Sequence, residues 1–286
     1  MTSSFFVSDL HGSFHRYETL FREMIHRKPS FLFIGGDILP NSRKPLEYNG
    51  KPVNDFISDY LVPGFQRVKK QLGCNYPEVF LIMGNDDHRE EESRLIEAEQ
   101  KEIWKYLSNN SFKFGPYMIY GYPYVPPTPF RCKDWEKYDV SRFVDPGCIA
   151  PAEGYRTAHP DYDPEFSTIA ADLEALTDGQ PMDKAIFLFH SPPYNSALDR
   201  AALDGQMIDH VPLDVHVGSM AIQRFIEARQ PYITLHGHIH ESASLTGNWK
   251  EVKGRTHSFS AAHQGPELAL VTFKLDDPTD SGRELL

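Results

Sequence analysis

Cysteine is scarce: Cys74, Cys132 and Cys148 are the only three in 286 residues. An odd, sparse set builds no disulfide framework, and its spacing matches no zinc knuckle. That favours a reducing compartment, and the cytoplasm is the expected location. No apolar run reaches the ~20 residues that span a bilayer. The first residues lack a basic stretch followed by an apolar one, so they do not read as a signal peptide. Positive charge is also short: 29 Lys and Arg face 40 Asp and Glu, a formal net charge of -11. Such a surface repels anionic membranes and long nucleic acids. A phosphate-bearing partner must therefore meet positive charge inside a cleft, and bound metal ions can supply it.

The remaining composition is that of a globular chain, with 40% hydrophobic and 24% charged residues. Short apolar runs alternate with helical patterns. Phe5-Phe6-Val7, Phe31-Leu32-Phe33-Ile34 and Val79-Phe80-Leu81-Ile82-Met83 read as strands. Tyr17, Leu20, Phe21, Met24 and Ile25 mark a helix that Pro29 ends. Further helices are expected near Asn54 to Leu72, with a kink at Pro63, and from about Glu90 to Leu107. This β-α-β-α-β rhythm implies an α/β fold with a buried, partly parallel sheet. Residues 122–166 break it with prolines and aromatics, too dense for a central strand or a helix. They read as an insertion packed on a domain spanning 1–275. Regular elements return at Glu165 to Leu176, Ala185 to Phe189, Val217 to Arg229 and Tyr232 to Leu235. Residues 276–286 read as a frayed polar tail.

The polar residues of interest share one position, the carboxyl end of a predicted strand, where α/β folds bind ligands. They are Asp9 and His11, Asp37, Asn85, His190, and His238 and His240. Two aspartates, one asparagine and four histidines make a mixed oxygen and nitrogen set. It suits Mn, Fe, Co, Ni or Zn better than calcium. The set exceeds the needs of one four-coordinate ion. Taken singly, each has a plainer role: Asp9 and Asn85 as helix caps, Asp37 as a turn residue, His190 as a core histidine. Five such coincidences in order argue for a shared purpose.

Asp9-Leu10-His11, Gly36-Asp37, Gly84-Asn85-Asp86, His190 and Gly237-His238-Ile239-His240 resemble, in order, the signature of the calcineurin-like metallophosphoesterases. The resemblance spans residues 5 to 275 apart from the insertion. It implies a four-layer α/β/β/α sandwich with two mixed β-sheets. It also implies a dinuclear centre of two divalent ions: Asp9, His11 and His240 on one, Asn85, His190 and His238 on the other, and Asp37 bridging. A metal-bridging hydroxide would then attack the phosphorus of a small phosphodiester or phosphomonoester. The alternative is a scaffold of the same fold with weak or no catalysis. His236 reads as a supporting residue, and His210, His216, His257 and His263 as loop residues rather than ligands.

One position departs from the family. Many relatives carry histidine after the asparagine ligand, and here it is Asp86. Beside two cations an aspartate should stay ionised, so it cannot donate a proton. It opposes a dianionic monoester more than a monoanionic diester, which favours diesters. His88 is the candidate replacement. The 122–166 insertion is expected to cap the site with its aromatics. Arg131, Lys133, Arg142 and Arg156 are its candidate phosphate contacts.

Overall fold

A computed structural model describes residues 3–41 and 45–286. The chain begins β1 (Ser3–Val7), α1 (Phe14–Arg27), β2 (Phe31–Gly35) and a small hairpin of β3 (Leu46–Tyr48) and β4 (Lys51–Val53). It continues α2 (Val62–Leu72), β5 (Glu78–Ile82), α3 (Glu92–Glu99), β6 (Lys105–Tyr106), β7 (Asn110–Phe114) and β8 (Tyr117–Tyr122). Next come α4 (Ile169–Leu176), β9 (Ala185–Phe189), a second hairpin of β10 (Met207–Ile208) and β11 (Val211–Pro212), and α5 (Met220–Arg229). The last elements are β12 (Ile233–His236), α6 (Ser242–Thr246), β13 (Lys250–Lys253), β14 (Thr256–Ser260), β15 (Ala269–Lys274) and β16 (Ser281–Leu285).

These strands form two six-stranded sheets, ordered β16-β15-β1-β2-β5-β6 and β13-β14-β12-β9-β8-β7. Both are mixed: β1, β2, β5 and β6 are parallel, as are β8, β9, β12 and β14, and the other pairs are antiparallel. The central strands β2, β5 and β9 are nearly continuous apolar runs because both their faces are covered, whereas the edge strands β7, β13 and β16 are mainly polar. Phe6, Phe33, Phe80, Ile186 and Leu235 meet in a core between the sheets. Their neighbours Phe5, Leu32, Leu81, Phe187 and Phe189 face outward. There α1 and α2 cover the first sheet with Tyr17, Phe21 and Phe65, and α4 and α5 cover the second with Leu173 and Phe225. The fold is the four-layer α/β/β/α sandwich that the sequence resemblance implies.

Boundaries differ where capping or pairing overrides periodicity. Thr168 and Ser219 accept hydrogen bonds from Ala171 and Ile222 amides, so α4 and α5 begin at 169 and 220. Pro63 cannot donate to the carbonyl one turn back, and the turn before it, Ile57–Leu61, widens to a π-helix. The helix predicted from Glu90 to Leu107 is a 3-10 turn at Arg89–Glu91 followed by α3, which stops at Glu99. The chain must turn there to lay β6 beside β5. The frayed tail is a correction: Ser281–Leu285 pairs along β15 from Ala269 to Phe273. Backbone hydrogen bonds hold this edge strand, and its polar side chains do not reveal it. Among the described residues, no helix is long and apolar enough to cross a membrane.

Candidate metal centre

The loops after β1, β2 and β5 of the first sheet meet those after β9 and β12 of the second. The turn after β1 follows the turn after β2 closely: Asp9 N donates to Gly36 O, His11 N to Asp37 O and Gly12 N to Ile38 O. This brings Asp9, His11 and Asp37 onto one rim. Asp9, His11, Asp37 and His240 each offer one donor atom, and these atoms lie within 4.8 Å of one another. The Nε2 atoms of His11 and His240 face each other at 3.1 Å, and His240 Nε2 is 3.2 Å from Asp9 Oδ1.

A second group lies behind Asp37. His190 is fully buried, and its Nδ1 bonds Gly35 O at 2.8 Å. Its Nε2 is then aimed at Asn85 Oδ1, 3.0 Å away, and at Asp37 Oδ2, 3.3 Å away. Asp37 Oδ2 is also 3.8 Å from His11 Nε2, so this one oxygen stands between the two groups. The His238 ring lies 5.2 Å from the His190 ring.

Acceptor atoms converge in both groups, and such convergence is costly unless positive charge sits among them. Burial pulls the His190 pKa down, yet Asp37 and then Asp9 hold it up at about 10. Burial also opposes ionisation of Asp9, but His240 and the other histidines keep its carboxyl far below the usual range. Burial and the charge on His190 push His238 down to about 3. The site thus favours a cation, and a metal ion can take the place of a proton. The donor set fits divalent metals.

The backbone is as distinctive as the side chains. Asp9 (φ 56°), His11 (φ 45°), Asp37 (φ 50°) and His238 (φ 73°) are all left-handed. Each such conformation costs energy outside glycine, and clusters of them mark functional sites. Gly84 has no room for a side chain: a Cβ there would lie 2.3 Å from Asp37 Oδ1 and 2.6 Å from His190 Cε1.

The sequence profile of the calcineurin-like phosphoesterases matches residues 4–242. The chain belongs to that family. No curated protein matches it in sequence. One solved structure superposes with a TM-score of 0.57 at 16% identity, covering 100% of this chain and 98% of its own. The structure of TT1561 from Thermus thermophilus gives 0.53 at 13% identity, covering 99% and 98%. A dimetal phosphatase from Danio rerio gives 0.46 at 11%, covering 94% and 91%. At these identities the likeness to the first two is one of fold alone.

Within this calcineurin-like frame, Asp86 and His88 part company. The Asp86 amide donates to Asp37 Oδ1 at 2.9 Å, and its carboxylate accepts from Asn85 Nδ2 at 3.1 Å. The second bond turns Asn85 Oδ1 towards His190. Asp86 Oδ2 lies 3.8 Å from His11 Nδ1. Burial and then Asp37 raise its pKa. The lowered pKa expected from the sequence belongs to the metal-loaded site, where two cations add to this balance. His88 is not drawn into this group. It stands 3.7 Å from Glu90 and lines a separate cavity of about 420 Å³ with Leu39, Phe56 and Arg94.

His236 is fully buried and bonded at both nitrogens, to Ser191 O and Thr234 Oγ1, each at 2.9 Å. It supports the strand end without facing the donor atoms. Three contributors are absent from the motifs. Buried Asp87 accepts from the amides of Ile38, Leu39 and Gly84, tying two loops together. Arg16 binds the Asp9 and Gly265 carbonyls and the His263 carbonyl at 3.4 Å. Trp135 Nε1 donates to Asp87 O at 2.8 Å. No short motif flags them, because each is recognised only by what it touches.

The insertion is more support than cap. Trp135 and Tyr138 are buried and unavailable to a substrate, whereas Phe143 and Tyr155 are exposed. Lys133 is fully buried against Glu136 at 2.5 Å and cannot reach a phosphate. Arg156 bonds Pro151 O, and Arg142 lies over the Tyr138 and Phe166 rings.

Proposed function

We propose that this chain is a metal-dependent phosphoester hydrolase acting on a small phosphodiester or phosphomonoester, with diesters preferred. The observation that carries the reading is the convergence of six donor side chains, Asp9, His11, Asp37, His240, Asn85 and His190, into two groups that share Asp37 Oδ2, with the His238 ring 5.2 Å from that of His190. Asp9, His11 and His240 would hold one divalent ion; Asn85, His190 and His238 would hold the other. Mn, Fe and Zn suit these donors. When bound, such ions neutralise phosphate charge and lower the pKa of water. The chain's own part is orientation. The Asp86 amide fixes Asp37, the Asp86 carboxylate fixes the Asn85 amide, and Gly35 O fixes the His190 ring.

A catalytically silent scaffold is the second reading, and intact donor convergence counts against it. One experiment separates them: metal content and turnover of bis(4-nitrophenyl) phosphate, before and after chelation. We expect two ions per chain and turnover that chelation abolishes. Asp37→Asn, which weakens the shared oxygen donor, should lower both occupancy and rate by more than about tenfold. Full turnover in chelated protein, or none in loaded protein, would sink the hydrolase reading.

A further inference from the structure

Hydrolysis of an ester with a poor leaving group needs a proton for the departing oxygen, and Asp86 is already engaged with two amides, Asn41 and Asn85. An Asp–His pair lies in the loop between β9 and α5. Asp199 is fully buried and accepts from the amides of Asn195 at 2.9 Å, Ser196 at 3.0 Å and Gly218 at 3.2 Å. Its Oδ1 is also 2.8 Å from His216 Nδ1. The His216 side chain is 27% exposed. Its Nε2 has no hydrogen-bond partner among the described residues. A buried carboxylate thus fixes one ring nitrogen and leaves the other free, the arrangement that orients an imidazole for proton transfer.

The loop carrying the pair is tied to both histidine-bearing strand ends of the second sheet. Ser219 N bonds Pro192 O at 2.9 Å, two residues beyond His190. His216 pairs with Arg200 across an isolated bridge, and Arg200 N bonds Ser242 Oγ at 3.0 Å, two residues beyond His240. Ala202 N bonds Glu241 Oε1 at 3.1 Å.

We propose that His216 is the proton donor to the leaving group, held for that task by Asp199. The proposal rests on the hydrolase reading. The oxygen of water bonds to phosphorus and the ester P–O bond breaks. The electron pair goes to the leaving oxygen, which takes the proton from His216 Nε2. A proton released from the attacking water restores the imidazolium. Asp199 is a positioning residue, because it acts through the ring.

The test is the leaving-group dependence of kcat/KM across aryl methyl phosphates from 4-nitrophenyl to phenyl. Proton donation matters most for poor leaving groups and is worth ~10²–10⁴ in rate. His216→Gln should lose about 100-fold on the phenyl ester but only a few-fold on the 4-nitrophenyl ester, with metal content unchanged. Equal losses on both, or no loss, would overturn the proposal while leaving the hydrolase reading intact. A wild-type protein that hydrolyses none of the series overturns both. A second measurement needs no variant and no turnover. In the Zn-loaded wild type, inorganic phosphate should shift the ¹⁵N resonance of His216 Nε2, and an unmoved resonance at saturating phosphate overturns the proposal.

Discussion

At the scale of single residues, Asp86 has the clearest consequence. Its carboxylate is partly exposed, 3.8 Å from His11 Nδ1. Two unit charges ~5 Å apart at an effective dielectric of about 20 repel by roughly 3 kcal/mol. Bound cations offset much of this, so the net preference for diesters should be about tenfold. Asp86→His removes the charge and should raise the monoester-to-diester ratio of kcat/KM. It also removes the acceptor that orients Asn85, so absolute rates and metal affinity should fall by several-fold. An unchanged ratio at matched metal occupancy would show that Asp86 does not act on the phosphate.

His236 makes a different prediction, about stability and pH. Burial depresses its pKa to about 4, while a free histidine titrates near 6.5. The unfolded chain therefore takes up the proton first as pH falls. This stabilising contribution is complete above about pH 6.5 and is lost as pH drops through 4, by about 3 kcal/mol in all. Denaturant unfolding of metal-free protein between pH 4 and 7 measures it. His236→Gln should flatten the pH slope near pH 5 by about 1.4 kcal/mol per unit, and an equal slope in both proteins contradicts the assignment.

At the scale of elements, the insertion is a brace. Trp135 packs under the turn that carries Asn85, bonds Asp87 O and lies 4.9 Å from the Arg89 guanidinium. Asp139, from the same segment, accepts from Ser219 Oγ and the Met220 amide at 2.6 Å each, which caps α5. Trp135→Ala should cost about 3–5 kcal/mol in unfolding free energy and also weaken metal binding. Asp139→Ala should cost about 1–2 kcal/mol and leave metal affinity unchanged. Calorimetry with metal titration distinguishes them, and a Trp135→Ala protein with wild-type metal affinity would mean that the brace does not reach the centre.

What the sequence reveals at this scale follows a physical rule. Strands buried on both faces are continuous apolar runs, so β1, β2, β5, β9 and β12 are legible, and so is the polar residue that ends each one. The left-handed backbone at Asp9 and Asp37 is not legible, because no composition marks it. Asp87 and Trp135 act through contacts distant in sequence. β16 is held by a backbone ladder, which any side chain permits. Motif and periodicity thus show the donors and the layers, and tertiary contact alone shows what holds the donors still.

At the scale of the molecule, the centre is a joint between two sheets. Asp9, His11, Asp37 and Asn85 follow strands of the first sheet; His190, His238 and His240 follow strands of the second. The sheets also meet through an apolar core and through hydrogen bonds across the polar edge, such as His190 Nδ1 to Gly35 O and the His238 amide to Asp9 Oδ1. Ions shared across this edge would bind the folded chain and not the unfolded one, so they must stabilise it by mass action. At a free metal concentration about 1,000-fold above Kd the gain is about 4 kcal/mol. For a chain of 286 residues, that corresponds to a rise in Tm of roughly 8–16 °C. Scanning calorimetry against metal concentration should show this rise for the native chain. The rise should be much smaller for Asp37→Asn, whose shared oxygen donor is weakened, and for His190→Ala, which removes a donor of the second sheet. A Tm that does not respond to removal of the metal, verified by elemental analysis, would mean that the folded chain holds no ion more tightly than the unfolded chain does, and that no metal joins the two sheets.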